Sequence, residues 1–131
     1  MTPLRGWLLV VLALGGAGSC SESAGPVAGV LMVSLTTPNP NADGAILLTV
    51  TGPSALTSAA VPSASGLQLF SQPLSTTTSF AVTGTLTNTA ILTIGVADVS
   101  KSSQYTATIQ SVAAVDFQLR PLNGYSLKVA Q

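Results

Sequence analysis

The chain has 131 residues, of which 47% are hydrophobic and 6% are charged, with four basic and four acidic side chains and no net charge. Its length allows one domain. The absence of His and the presence of a single Cys exclude Cys/His metal sites, internal disulfides and His-based catalytic triads. Zero net charge also argues against a nucleic-acid partner.

The first 19 residues have the three regions of a secretory signal peptide. Arg5 supplies the positive charge, residues 7–14 form a short apolar run, and residues 15–19 are small. The apolar run is much shorter than the roughly 20 residues that a membrane-spanning helix needs. We therefore expect a helical signal peptide over residues 1–19 and an exported protein.

Cys20 directly follows this segment, and in an exported chain such a lone thiol has no internal partner. Its position after Ala17, Gly18 and Ser19 resembles the lipobox of bacterial lipoproteins, in which the cysteine is acylated and becomes the mature N-terminus. That family prefers Leu, Val or Ile where this chain has Ala17. The same residues suit ordinary signal peptidase, so plain secretion and a retained signal anchor stay open as alternatives.

The lipoprotein resemblance implies that membrane lipid is a partner of the chain through acylated Cys20. Two or more acyl chains, such as palmitate, hold a protein stably on a membrane. The next residue is Ser21, and because Asp there favours the inner membrane in this family, the resemblance favours the outer membrane. Residues 20–26 would then be a lipidated tether, and residues 27–131 the folded domain.

The region after Cys20 has the composition of a β-sheet protein. Ser and Thr make up 30 of its 111 residues, and no charged residue lies between Asp43 and Asp98. An amphipathic helix normally has a charged outer face, whereas Thr suits the exposed surface of a strand. The composition therefore favours strands.

Short apolar runs separated by turn residues predict seven or eight strands. The Asn123-Gly124 dipeptide favours a hairpin before the last of them, in which Tyr125, Leu127 and Val129 would face one way. A single helical turn fits residues 99–107. This pattern indicates an all-β fold, an antiparallel β-sandwich. The predicted strands are residues 27–36, 45–51, 67–71, 79–87, 90–96, 105–115, 117–119 and 125–130.

Short bacterial lipoproteins of unassigned function are similar to the segment GVLMVSLTTPNPNADGAILLTV and to the late GYSLKV. The sandwich itself resembles the immunoglobulin-like and cohesin-like groups. This resemblance covers most of residues 26–130. It supports the fold and implies no site residues.

Asn39, Asn41, Asp43 and Gly44 resemble the first half of an EF-hand calcium loop. The last position of that loop needs a bidentate Glu, and here it is Val50. One carboxylate is too few for useful calcium affinity, and the same residue types suit a tight connection between strands. We therefore predict a turn, and neither a metal nor another cofactor.

Thr83, Thr85, Thr87 and Thr89 alternate along a predicted strand, so their side chains would form one row. We interpret the row as a solvent-facing surface that stays soluble without charge. The alternative is a binding surface for a glycan or another regular polar surface.

Tyr105 and Tyr125 are the aromatic residues that we consider as platforms for stacking a sugar. Packing in the core or at an edge, with the hydroxyl in water, is the favoured interpretation for both.

The acidic residues do not predict an enzyme. A general acid–base pair needs two groups in one cleft, but the carboxylates are scattered, and Asp98 and Asp116 each lie near a basic residue, Lys101 or Arg120. We expect surface ion pairs there and no catalytic residues.

These observations predict a non-catalytic interaction or structural module, anchored by lipid in the cell envelope. Its partner would be an envelope protein or a surface polymer, bound through loops or by addition of a strand to a sheet edge. The alternative is a secreted carbohydrate- or surface-binding module.

Overall fold

The computed structural model describes residues 25–131. The expected signal peptide and Cys20 lie outside the described residues. The described part contains one short 3-10 helix, Val99–Gln104, between the sixth and seventh strands. Its eight strands are β1 Gly29–Thr36, β2 Asp43–Thr51, β3 Ser58–Ala60, β4 Gln68–Leu74, β5 Thr77–Leu86, β6 Ala90–Val96, β7 Thr106–Ala114 and β8 Ser126–Ala130.

The strands form two antiparallel sheets of four, which confirms the predicted all-β sandwich and is consistent with an immunoglobulin-like fold. The first sheet has the order β8-β1-β6-β3 and the second has the order β4-β5-β2-β7. Alternate residues of each strand point between the sheets, where they form the core. The buried aliphatic core includes Leu31, Val33, Leu35, Ile46, Leu48, Val50, Val82, Leu86, Ile91, Leu92, Ile94 and Val96.

Most of the sequence-predicted elements are confirmed. The helical turn forms the 3-10 helix, and Leu127 and Val129 of β8 face the core while Ser126 and Lys128 are exposed. The three-residue edge strand β3 was not predicted, because it is too short to show a repeating pattern.

The expected strand over residues 117–119 is wrong. There, only an isolated bridge joins Leu119 to Ala113. Phe117 has φ +70, which is incompatible with an extended strand.

The sandwich has two ends that lie far apart. At the first end, where β1 begins, the Val99 amide donates to the Val27 carbonyl at 2.8 Å. At the other end, β1 finishes at Thr36 and β2 begins at Asp43, which pairs with Ala114 of β7. With eight residues in β1, the two ends are about 25 Å apart. Within residues 25–131, no helix has the length and hydropathy needed to span a membrane.

Candidate functional site

Asp43, the first residue of β2, is fully buried and accepts hydrogen bonds on both carboxylate oxygens. Arg120 Nε donates to its Oδ1 at 3.0 Å, and Thr37 Oγ1 donates to its Oδ2 at 2.5 Å. The Tyr125 hydroxyl lies 2.9 and 3.0 Å from the two oxygens. Because buried charges are tolerated only when they are paired and hydrogen-bonded, this set of donors explains how the carboxylate can be buried.

The predicted turn before β2 belongs to the same network. The side-chain Nδ2 of Asn39 donates to the Tyr125 hydroxyl at 3.0 Å, and the backbone N–H of Asn39 donates to Thr37 Oγ1 at 2.9 Å. Asn41 has φ +68, a conformation that Asn adopts more readily than most residues. The segment therefore forms the connection between β1 and β2, and Asp43 points into the protein towards Arg120 and Tyr125.

The expected surface pairing of Arg120 with Asp116 is wrong, because Arg120 binds Asp43 instead. Asp116 accepts a hydrogen bond from the Gln118 amide at 3.2 Å. The Asp43–Arg120 pair spans 77 positions of the chain, so no local pattern could have identified it. Among residues 25–131, no three His, Cys, Asp or Glu side chains lie close enough together to hold a metal ion.

Asp98 lies at the opposite end of the sandwich and caps the 3-10 helix. Its Oδ1 accepts hydrogen bonds from the Ser100 hydroxyl at 2.7 Å and from the Ser100 amide at 3.1 Å. The side-chain bond from Ser100 is the main reason that the pKa of Asp98 is lowered from 3.8. Asp98 and Asp116 are therefore at different ends of the molecule and do not share a cleft.

Neither tyrosine is an exposed side chain in the folded domain. Tyr105 is buried in the core, with its ring packed against Gly52. Tyr125 is partly buried, and its hydroxyl binds Asp43 instead of water. Among residues 25–131, the exposed aromatic side chains are Phe70 and Phe117.

The threonine row is shorter than its sequence suggested. Thr83 and Thr85 lie on the outer face of β5, whereas the buried Val82 and Leu86 point inward. Thr87 lies beyond the end of β5 in the connection to β6, because the chain turns there. The row within the strand therefore ends at Thr85.

The outer face of the second sheet carries the Phe70 ring, which is 61% exposed. A shallow groove of about 250 Å³ beside it is lined by Leu47, Gln72, Ser79 and Gln110, among other residues. Two further grooves, of about 140 and 370 Å³, lie between the sheets at their two open sides. None of these three grooves is lined by a charged side chain.

The connection between β7 and β8 carries the strongest exposed apolar feature, which we name the apolar tip. It consists of Val115, Phe117 and Leu119, which are 61%, 90% and 75% exposed. The tip lies beside the buried Asp43 network, because the Val115 amide donates to the Ala42 carbonyl at 3.1 Å. No sequence pattern distinguished these residues from a short strand.

No protein-family model matches the chain, and neither the curated proteins nor the solved structures contain a match to it.

Proposed function

We propose that the protein is an exported, non-catalytic interaction module, held on a membrane of the cell envelope by acylated Cys20. The observation that carries this proposal is the position of the apolar tip. The tip lies at the end of the sandwich opposite Val27, where the described chain enters the fold. In a domain tethered through residues 20–26, the apolar tip would therefore lie at the end of the sandwich that the tether does not hold.

The surroundings of the acidic residues support a non-catalytic role. Asp43 is occupied by three donor side chains, and Asp98 and Asp116 each accept hydrogen bonds from a residue two positions away. A general acid or base must reach a substrate proton. These contacts account for the three carboxylates as structural groups, and the grooves described above have no charged lining.

A second candidate is a secreted module that binds a neutral polysaccharide, and the Phe70 groove favours it. An exposed aromatic ring can stack on a sugar, and the side-chain amides of Gln72 and Gln110 can bond hydroxyl groups. Depletion of the protein by insoluble polysaccharides, which Phe70→Ser should abolish, tests this candidate.

The decisive experiment for the first candidate is expression of the full chain, with its own N-terminus, in a bacterial host beside Cys20→Ala. We expect a mature mass that begins at Cys20 and includes acyl chains, with the protein in the membrane fraction. The Cys20→Ala variant should lose both the added mass and the membrane fractionation.

A mature chain without acyl chains in the soluble fraction would contradict membrane anchoring. The secreted module would then become the leading candidate. Extraction of the membrane fraction serves as a control. Detergent should release the wild-type protein and salt should not, because acyl anchoring depends on buried methylenes and not on charge.

A further inference from the structure

Phe117 has a backbone conformation that its side chain does not favour. Its φ is +70, and its ring is 90% exposed. A bulky residue at positive φ is uncommon, whereas Gly adopts this region without a steric penalty. Because the ring is so exposed, packing within the domain does not explain why Phe occupies this position. Strained backbone conformations cluster at active sites, ligand-binding sites and switch segments.

The tip is held in place by backbone hydrogen bonds. The Phe117 amide donates to the Ala114 carbonyl at 2.9 Å, and the Ala114 amide donates to the Gln118 carbonyl at 2.8 Å. The Arg120 amide closes the loop by donating to the Val112 carbonyl at 2.8 Å. The apolar side chains are therefore displayed in a preformed loop, which reduces the entropy lost on binding.

The apolar tip is small for a protein–protein interface. A standard interface buries about 800 Å² on each partner. Three side chains of phenylalanine size, at roughly 200 Å² each, would give only about 600 Å² if fully exposed. Val115 and Leu119 are smaller than Phe, and all three are partly covered. A lipid surface can accept a tip of this size, because it needs no matching pocket.

The charges near the tip favour a neutral surface. Asp116 is exposed within the loop, and the nearby Arg120 is paired with Asp43. Of the other cations in residues 25–131, Lys101 lies at the opposite end of the sandwich and Lys128 lies on β8. The tip therefore has no free cation of its own loop that would attract anionic lipid.

We propose that the apolar tip inserts reversibly into the surface of a neutral lipid bilayer, with Phe117 at its centre. This inference rests on the proposed function as a binding module and names the partner of the tip. It is separate from the acyl anchor, because the tip lies at the other end of the sandwich. Binding by the tip alone should be weaker than that of a single myristoyl chain, which itself gives marginal attachment.

The test measures binding of the full chain, exported and processed by its host, to phosphatidylcholine vesicles at millimolar lipid. The parent protein carries Cys20→Ser, so that no acyl chain contributes. We expect Phe117→Ser to weaken vesicle binding by about 10- to 100-fold, the range that corresponds to burial of one Phe side chain. The matched control Phe70→Ser removes another exposed Phe from the outer face of the second sheet and should change binding by less than about twofold.

A second arm replaces about a third of the lipid with anionic phosphatidylglycerol, which should leave binding unchanged or weaken it, given Asp116. Equal losses in Phe117→Ser and Phe70→Ser, or no binding by the parent protein, would overturn the inference. Stronger binding to the anionic vesicles would overturn its charge argument.

A photo-crosslinking residue at position 117, introduced into the acylated protein in cells, separates failure of this inference from failure of the proposed function. Crosslinks to lipid support the inference. Crosslinks to one envelope protein, without vesicle binding, overturn the lipid partner but retain the interaction module. Without crosslinks or vesicle binding, neither the lipid partner nor a binding role for the tip stands.

Discussion

Two neighbouring connections at one end of the sandwich place their side chains in opposite ways. The connection between β1 and β2 directs polar groups inward, where Thr37 and Asp43 are buried. The connection between β7 and β8 directs Phe117 and Leu119 outward. Every polar group that we describe in the buried network has a hydrogen-bond partner within the domain. The exposed apolar side chains, in contrast, have little contact with the rest of the domain.

The two connections have different roles, one in the stability of the fold and the other in binding. Buried polar networks stabilise a fold only when their members are satisfied, as they are around Asp43. Exposed apolar groups contribute little to folding and gain free energy only when another surface covers them. Substitutions in the network should therefore reduce stability, and substitutions in the apolar tip should not.

The largest effect is expected for Asp43→Ala. The substitution leaves Arg120 without its carboxylate partner and the Tyr125 and Thr37 hydroxyls without an acceptor. We expect the free energy of unfolding to fall by about 2–4 kcal/mol, below the full cost of breaking a buried pair because Arg120 is partly exposed. Urea denaturation measures this loss, and Asp116→Ala, on the exposed loop, should change stability by less than about 0.5 kcal/mol.

A double-mutant cycle with Tyr125→Phe sharpens this prediction. The free energy of unfolding of the single variant Tyr125→Phe should fall by about 1 kcal/mol, because the substitution removes a hydroxyl that contacts both Asp43 and Asn39. Since the two residues share a network, the loss in the double variant should be smaller than the sum of the single losses. Strict additivity would show that the hydroxyl and the carboxylate act independently.

A smaller effect of opposite sign is expected for Phe117→Gly. Gly relieves the positive φ, although it also increases the freedom of the unfolded chain. The free energy of unfolding of Phe117→Gly should therefore stay the same or rise by up to about 1 kcal/mol. Phe70→Gly, in the extended strand β4, should instead lose about 1 kcal/mol or more. Similar losses at both positions, measured by thermal or urea unfolding, would mean that the Phe117 ring stabilises the fold.

The smallest effect concerns Asp98, at the other end of the sandwich. The Ser100 hydroxyl is the main cause that lowers the pKa of Asp98 below 3.8 in the folded protein. The charged carboxylate therefore stabilises the fold above this pH, and its contribution is lost as the pH falls through the folded-state pKa. The urea midpoint of Asp98→Asn should lie slightly below that of the wild type at about pH 6, and the difference should shrink as the pH falls through the folded-state pKa of Asp98. A difference that persists unchanged in acid would exclude the charge as its cause.

The all-β class, most of the strands and the turn before β2 could be predicted from the amino-acid sequence. These features depend on local properties, namely alternation with a period of two and the conformational preferences of Asn, Pro and Gly. For that reason β8 could be predicted with its inward and outward residues, whereas the short edge strand β3 could not.

Contacts between residues far apart in the chain, and the exposure of the apolar tip, could not be predicted from the sequence. Arg120 reaches Asp43 across 77 positions of the chain, although Asp116 is closer in sequence. Packing brought β1, β2 and the β7–β8 connection to one end, and it left Phe117 exposed with nothing in its local sequence to indicate this. Pairing and exposure depend on the arrangement of the two sheets, because contacts between distant strands are set by packing and not by local conformational preference.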